Sequence, residues 1–233
     1  MNGRRCALVV GASRGLGLGL AAELRHRGWN VVGTVRDDAG ERRLEKRAKK
    51  PGGDVRAEHL DINDDRQIAA LRRRLDDLEF DLVFVNAGIS PKGRSDAASA
   101  SREEAAAVFM TNAVSPLRIA HAFLDRVRSG PGIVALMSSG LGSVANKTDS
   151  YSELYNASKA ALNSLSRSLA ASLGRRRVTV LAVAPGWVRT DMGGRGAPLS
   201  VEDSARGIVD MLESRAGTGR HGFVDYRGRD VEW

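Results

Sequence analysis

The chain has 233 residues, a length that one α/β core accommodates, and its 42% apolar and 27% charged residues exclude a disordered chain or a wholly membrane-embedded protein. The formal net charge of +8 raises nucleic acid as a partner, yet the basic residues are interleaved with acids, as in Glu41-Arg42-Arg43-Leu44-Glu45-Lys46-Arg47 and Arg72-Arg73-Arg74-Leu75-Asp76-Asp77. Such runs are solvated helix faces with i,i+4 partners rather than a phosphate-binding stripe, so no nucleic-acid partner is expected.

In chain order, apolar runs at residues 6–10, 30–34, 55–59, 81–86, 133–137, 178–184 and 223–225 predict strands. Between them, helical periodicity predicts helices at 16–27, 41–50, 65–78, 102–112, 115–128, 151–173 and 201–214. Strands that are apolar at nearly every position, such as Leu82-Val83-Phe84-Val85, belong in a parallel sheet covered by helices on both faces. The expected fold is therefore α/β, a Rossmann-like doubly wound parallel sheet of about seven strands. No repeat or long linker divides the chain, so residues 1–233 are expected to form one domain. Segments 90–94 and 193–198 carry Gly and Pro directly after strands and are expected to be loops at a functional rim.

Cys6 is the sole cysteine, which leaves no intramolecular disulfide. The apolar run from Cys6 to Val10 meets Gly11 before it reaches the length of a signal-peptide core or membrane span, so a cytoplasmic location and no membrane partner are expected. His26, His59, His121 and His221 are scattered, with neither HExxH spacing nor an acid cluster nearby in the sequence, and no metal is expected.

Gly11-Ala12-Ser13-Arg14-Gly15-Leu16-Gly17 follows the first strand and opens directly into a helix. Gly11 permits a tight turn, Gly15 a close approach of backbone to a diphosphate, and Gly17 close packing of helix on strand, while the helix N-terminus presents free N–H groups to the anion. The spacing is GxxxGxG; its placement between strand and helix points to a dinucleotide without specifying a reaction. The second strand then runs Val31-Val32-Gly33-Thr34-Val35-Arg36, with no acid to accept from a ribose 2′-hydroxyl. Arg36 can instead reach a 2′-phosphate, with Arg14 closing from the other side, and Asp37 and Asp38 are expected to turn into solvent. NADP(H) is the preferred cofactor on this pattern, with NAD(H) left open.

Tyr155 and Lys159 fall one helical turn apart on the same face, and Ser138-Ser139-Gly140-Leu141-Gly142 closes the preceding strand, at the end where open α/β sheets bind ligands. Together with Asn86-Ala87-Gly88, Asn112 in Thr-Asn-Ala, and Pro185-Gly186 followed by Thr190, these landmarks resemble the short-chain dehydrogenase/reductase family over essentially the whole chain. Within it, Tyr155-Asn156-Ala157-Ser158-Lys159-Ala160-Ala161-Leu162-Asn163, the segment from Pro185 to Gly194 and the closing segment from Gly222 to Trp233 are similar to the C-factor and sniffer-like carbonyl reductases.

The resemblance implies an oxidoreductase that passes hydride between a nicotinamide and a small carbonyl or alcohol substrate. Tyr155 would be the general acid in reduction and the base in oxidation. A free phenol, with a pKa of ~10, holds its proton at neutral pH, and an adjacent ammonium and a cationic nicotinamide favour the phenolate. Lys159 would supply that charge and bond the ribose, Ser139 would hold the carbonyl oxygen, and Asn112 would anchor a water in the proton relay. Ser139 is preferred to Ser138 because Gly142 stands three residues after it; Ser138 is expected to pack inward, and Tyr151 lies too far from Lys159 for the motif.

By the same resemblance Gly11, Ser13, Arg14, Gly15, Leu16 and Gly17 would carry the phosphates, and Arg36 the 2′-phosphate. Asp61 and Ile62 would meet the adenine, with a helix cap as the competing role for Asp61. Asn86, Ala87 and Gly88 would pass the adenosine half, unless they only make a tight turn. Tyr155 and Lys159 would touch the nicotinamide ribose, and Pro185, Gly186, Val188 and Thr190 would border the carboxamide. Two departures stand out. Val10 replaces a common Thr, putting a structural hydrogen bond in doubt, and the Ser139-to-Tyr155 interval is longer than usual, implying a bulge around Asn146, Lys147 and Thr148. Specificity is expected from loops 90–95, 141–150 and 191–199, and the small residues along 157–173 allow a helix-paired homodimer. The alternative is a non-enzymatic dinucleotide-sensing or signalling protein on the same fold, which would need no proton donor.

Overall fold

The computed structural model describes residues 4–48, 52–91, 96–148 and 150–233. Its strands are β1 (Cys6–Val10), β2 (Asn30–Val35), β3 (Val55–His59), β4 (Leu82–Val85), β5 (Ile133–Met137), β6 (Thr179–Ala184) and β7 (His221–Asp225). They form one seven-stranded sheet in the order β3-β2-β1-β4-β5-β6-β7, every neighbouring pair parallel. Leu8 of β1 pairs with Val32 on one side and Val83 on the other. All residues of β1, β2, β4, β5 and β6 are buried, as strands covered on both faces must be.

The alternation of side chains along β1 divides the core. Cys6, Leu8 and Val10 face one apolar layer, and Ala7 and Val9 face the other. Helices α1 (Gly15–His26), α2 (Asp38–Ala48) and α7 (Val201–Arg215) cover the Ala7 side with Leu20, Leu24, Leu44, Ile208 and Met211. On the Leu8 side, α3 (Asp65–Arg74), α5 (Ser115–Phe123) and α6 (Glu153–Ser172) bury Ile68, Leu71, Ile119, Phe123 and Leu162, and α4 (Arg102–Phe109) lies against α6. Several arginines join acids: Arg27 pairs with Glu23, Asp210 and Glu213, Arg72 with Asp76 and Asp125, and Arg74 with the buried Glu58. Among the described residues no helix is long and apolar enough to cross a membrane.

The expected helices differ from the observed ones chiefly at their ends. The helix predicted at 102–112 gives way at Met110–Val114 to a π-helical turn that runs directly into α5. Pro116 sits in the first turn of α5 and has no N–H to donate, so the ladder changes register there. The segment predicted at 115–128 ends its α-helix at Phe123 and continues as a 3-10 turn at Leu124–Arg126. The helix predicted at 65–78 stops at Arg74, and Leu75 and Leu78 turn into the core. α2 begins at Asp38 rather than at 41, with Asp38 and Glu41 in the first turn where the helix dipole favours acids; positions 49 and 50 of the expected helix lie outside the described residues. α6 begins at Glu153 because Ser152 takes a left-handed conformation, φ 53°.

Strand order reverses between β1 and β4, so the connections leaving their carboxyl ends diverge and open a crevice. Gly11 and Asn86 stand at that crevice, and β5 and β6 deliver Ser139 and Pro185 beside it.

Candidate active site

The glycine loop is shaped by contacts that no side chain could share. Gly11 has φ 87°, and a Cβ there would lie 2.9 Å from the amide nitrogen of Ala87. A Cβ on Gly17 would lie 2.0 Å from the carbonyl oxygen of Gly11, so α1 packs directly on the turn that precedes it. Asn86 braces the loop by donating through Nδ2 to the Gly11 carbonyl (2.9 Å). Gly15, φ 54°, meets only Thr190, whose Cγ2 would be 3.5 Å from an added Cβ, so the connection after β6 comes over the glycine loop. The backbone at Gly15, opening α1 with no side chain in the way, is a cradle that fits a diphosphate.

The turn that follows Val10 is held from β2. Thr34 of β2 accepts the amide of Gly11 on its Oγ1 at 3.0 Å, and its carbonyl accepts the amide of Ala12 at 2.7 Å. Arg14 is ion-paired with Asp191 on the β6–α7 connection, and both side chains are exposed. Arg36 is exposed at the end of β2. Arg43 on α2 donates through Nε to the Ser13 carbonyl (2.8 Å), which brings a third arginine to the loop. Leu16 and Ile62 bury their side chains in the two cores. Asp61 accepts the amide of Asn63 on Oδ1 at 2.9 Å in a local turn, and the cap of α3 is Asp64.

Ser139 leaves β5 at the start of a 3-10 turn, Gly140–Gly142, and its Oγ accepts the amide of Leu141 at 3.2 Å. The Tyr155 phenol lies within hydrogen-bond reach of the Ser139 hydroxyl. Burial raises the phenol's pKa above its ordinary value, and the bond to Ser139 lowers it by less, so in the protein by itself the phenol keeps its proton. Lys159, one turn on, is 3% exposed, and burial alone pulls its pKa down to about 8. Its Nζ donates to the carbonyl of Met137 (2.8 Å) and stands 5.7 Å from the centre of the Tyr155 ring.

Asn112 is fully buried in the π-helical turn. Its side chain is fully engaged: Nδ2 donates to the Ile89 carbonyl (2.8 Å) and the Ser158 hydroxyl (3.0 Å), and Oδ1 accepts from the Ile89 amide (2.8 Å). The amide that would close an α-helical bond on its main-chain carbonyl is that of Pro116, which has no hydrogen. A Cβ on Gly88 would lie 3.2 Å from Asn112 Oδ1 and 3.4 Å from Lys159 Nζ, so the bare backbone there leaves room for both.

Ser138 packs inward, donating to Asn163 Oδ1 at 2.6 Å, and Asn163 Nδ2 donates to the Gly142 carbonyl at 3.1 Å. Asn163 thus grips both sides of Ser139; it lies one turn beyond Lys159 on the helix face already singled out, a periodicity that could have revealed it. The long interval before Tyr155 forms a turn in which Ser143 Oγ accepts the Asn146 amide (3.1 Å), and Tyr151 is exposed ahead of α6. After β6, Gly186 has φ 80°, Pro185 accepts from the Ser204 hydroxyl (2.8 Å), Val188 is buried, and Thr190 Oγ1 accepts the Gly193 amide (3.0 Å). Of the loop expected at 90–95, positions 92–95 lie outside the described residues.

Two features lie away from these residues. A groove of about 470 Å³ between α1 and α7 meets the glycine loop only at Gly15 and holds none of Ser139, Tyr155 or Lys159. The sequence shows no acids beside its histidines, but the fold brings Asp38 and Glu41 to His59, with Nε2 to Glu41 Oε2 at 3.1 Å. This is a surface grouping of ion-pairing residues, and such groupings are common without an ion.

The chain matches the family profile described as enoyl-(acyl carrier protein) reductase over residues 11–222. Two solved structures superpose on nearly all of it: a short-chain dehydrogenase/reductase from Burkholderia multivorans with bound NADP (41% identity, TM-score 0.91, covering 99% of this chain and 100% of that one) and a carbonyl reductase from Pseudomonas aeruginosa in complex with NADP (42%, 0.90, 99% and 100%). C-signal of Myxococcus xanthus is 37% identical over 66% of this chain and 92% of its own length.

Proposed function

Because the chain belongs to the short-chain dehydrogenase/reductase family, we propose that it is an NADP(H)-dependent carbonyl reductase acting through Ser139, Tyr155 and Lys159, all within one dinucleotide-binding and catalytic domain. The observation that carries this reading is the meeting of the Ser139 and Tyr155 hydroxyls at the end of β5, with a buried lysine one helical turn behind and a glycine cradle beside them. The cradle around Gly11, Gly15 and Gly17 would hold the diphosphate, Arg14, Arg36 and Arg43 the 2′-phosphate, and Lys159 the nicotinamide ribose. When bound, the nicotinamide supplies the hydride.

The protein's own groups manage the oxygen and the proton. Ser139 and Tyr155 direct two hydroxyls at one point, where a substrate carbonyl oxygen is held and polarised. A phenol that burial keeps protonated is suited to donate as charge develops on that oxygen. Lys159, fixed by the Met137 carbonyl, places its ammonium behind the ring to stabilise the phenolate left by that donation. The Asn112 carbonyl, without an α-helical donor, is the acceptor offered to a water in the relay that passes a proton by way of Lys159 back to the Tyr155 phenolate. A phenol set beside a serine hydroxyl as a proton donor has no use in a protein that only senses a dinucleotide.

The test is NADPH oxidation by the purified protein over aldehydes, ketones and quinones, followed by nicotinamide absorbance. Stoichiometric alcohol formation is expected. Tight NADPH binding with no reduction of any carbonyl would leave only the dinucleotide-binding part of the reading standing.

A further inference from the structure

The exposed large apolar side chains among the described residues are Leu141, Val144, Tyr151, Trp187 and Met192. Three lie between Ser139 and Tyr155 on the β5–α6 connection and two on the β6–α7 connection. β5 and β6 are parallel neighbours, so both connections leave the same end of the sheet side by side, at the catalytic hydroxyls. Val144, Tyr151 and Trp187 are 72%, 69% and 61% exposed, whereas the helices elsewhere keep their large apolar residues covered. Apolar surface concentrated at the mouth of a site is the lining that a ligand covers.

The lining is held in place. Leu141 is tied to Ser139 Oγ, Ala145 donates to the Trp233 carbonyl at 2.9 Å, and the Trp187 indole donates to the Gly193 carbonyl at 2.8 Å. Charges on the same connections are engaged with the protein: Arg189 donates to the carbonyls of Ala197 and Pro198, and Asp191 pairs with Arg14. Arg195 on that connection and Lys147 on the β5–α6 connection are exposed, and these are the groups that would draw an anionic substrate instead.

We propose that the substrate is an uncharged ketone or aldehyde whose carbonyl carries an extended apolar group, seated on Leu141, Val144, Tyr151, Trp187 and Met192. This rests on the carbonyl-reductase reading, since it names the body attached to the carbonyl that Ser139 and Tyr155 hold. A second copy of the chain is the other occupant such a surface could take.

The experiment uses NADPH and methyl ketones from propanone to 2-octanone, with a keto acid of the same length as 2-octanone ending in a carboxylate. In the wild type, kcat/KM should rise about three- to fourfold per methylene, mostly through KM, because each CH₂ leaves water for an apolar lining. The keto acid should be at least about tenfold poorer than 2-octanone. Val144→Asn and Trp187→Ala should each flatten the rise; Val144, 72% exposed, has little folding role to confuse the result. Reduction with no dependence on chain length, or a preference for the keto acid, would overturn the apolar lining while leaving the carbonyl-reductase reading intact. So would a Val144→Asn protein with unchanged chain-length dependence but a smaller hydrodynamic mass, which would assign the surface to a second copy. No reduction of any member would overturn both.

Discussion

Lys159 donates a 2.8 Å hydrogen bond to the main-chain carbonyl of Met137, the last residue of β5, from a position that is 3% exposed. Burying that ammonium lowers its pKa from the ordinary 10.5 to about 8. Between those values the unfolded chain binds more protons than the folded one, so the lysine's destabilising contribution is full below about pH 8 and relieved as pH rises. Stability relative to a Lys159→Met protein should therefore increase by about 2 kcal/mol between about pH 7.5 and 9.5. The raised phenol of Tyr155 acts in the opposite direction, but only from about pH 10 upward, outside that window. Urea unfolding of both proteins across the window checks this, and parallel curves would mean that the ammonium is not desolvated.

Tyr155→Phe removes the proton donor and keeps the ring against Lys159. Turnover should fall by about 10²–10⁴, with NADPH affinity and melting temperature nearly unchanged. Wild-type turnover on every accepted carbonyl would refute the assigned acid.

Gly142→Ala tests how closely the serine turn sits on α6. A Cβ there would lie 2.8 Å from Lys159 Cβ and 2.9 Å from its carbonyl carbon, so turn and helix must separate. A loss of about 1–3 kcal/mol in stability and a lowered kcat are expected. Gly140→Ala, in the same turn with no atom within 4 Å of the new Cβ, should be neutral within about 0.5 kcal/mol. Equal effects of the two in thermal melts and turnover would contradict the contact.

Arginine at the glycine loop should decide the cofactor. The exposed pair of Arg14 with Asp191 is worth only about 0–1 kcal/mol, so a 2′-phosphate can outcompete the carboxylate. A charge-assisted hydrogen bond contributes about 1.5–3 kcal/mol, and Arg14→Ala, Arg36→Ala and Arg43→Ala should each weaken NADPH about ten- to a hundredfold while sparing NADH. Titration of both cofactors into the four proteins reads this directly; equal wild-type affinities would exclude a preference for NADP(H).

What the sequence determined by itself is whatever depends on neighbours along the chain. Continuous apolar runs such as 82–85 and the periodicity of α6 reveal a parallel sheet between helices, and short spacings place Ser139, Tyr155, Lys159 and the glycine loop. What only the tertiary structure decided are contacts between residues far apart in sequence, which follow from strand order and register. The β1–β2 pairing brings the Thr34 hydroxyl to the Gly11 amide, and the packing of α2 carries Arg43 to Ser13. The return of the β6 connection over the glycine loop sets Asp191 against Arg14, and β3 beside β2 brings His59 to Asp38 and Glu41. Pro116 is visible in the sequence, but its effect on Asn112 depends on α4 and α5 stacking through a π-helical turn rather than parting in a loop. Local spacing is encoded by the chain's own geometry, whereas these partners are chosen by which faces must be buried together, and that is settled only when the whole sheet closes its two cores.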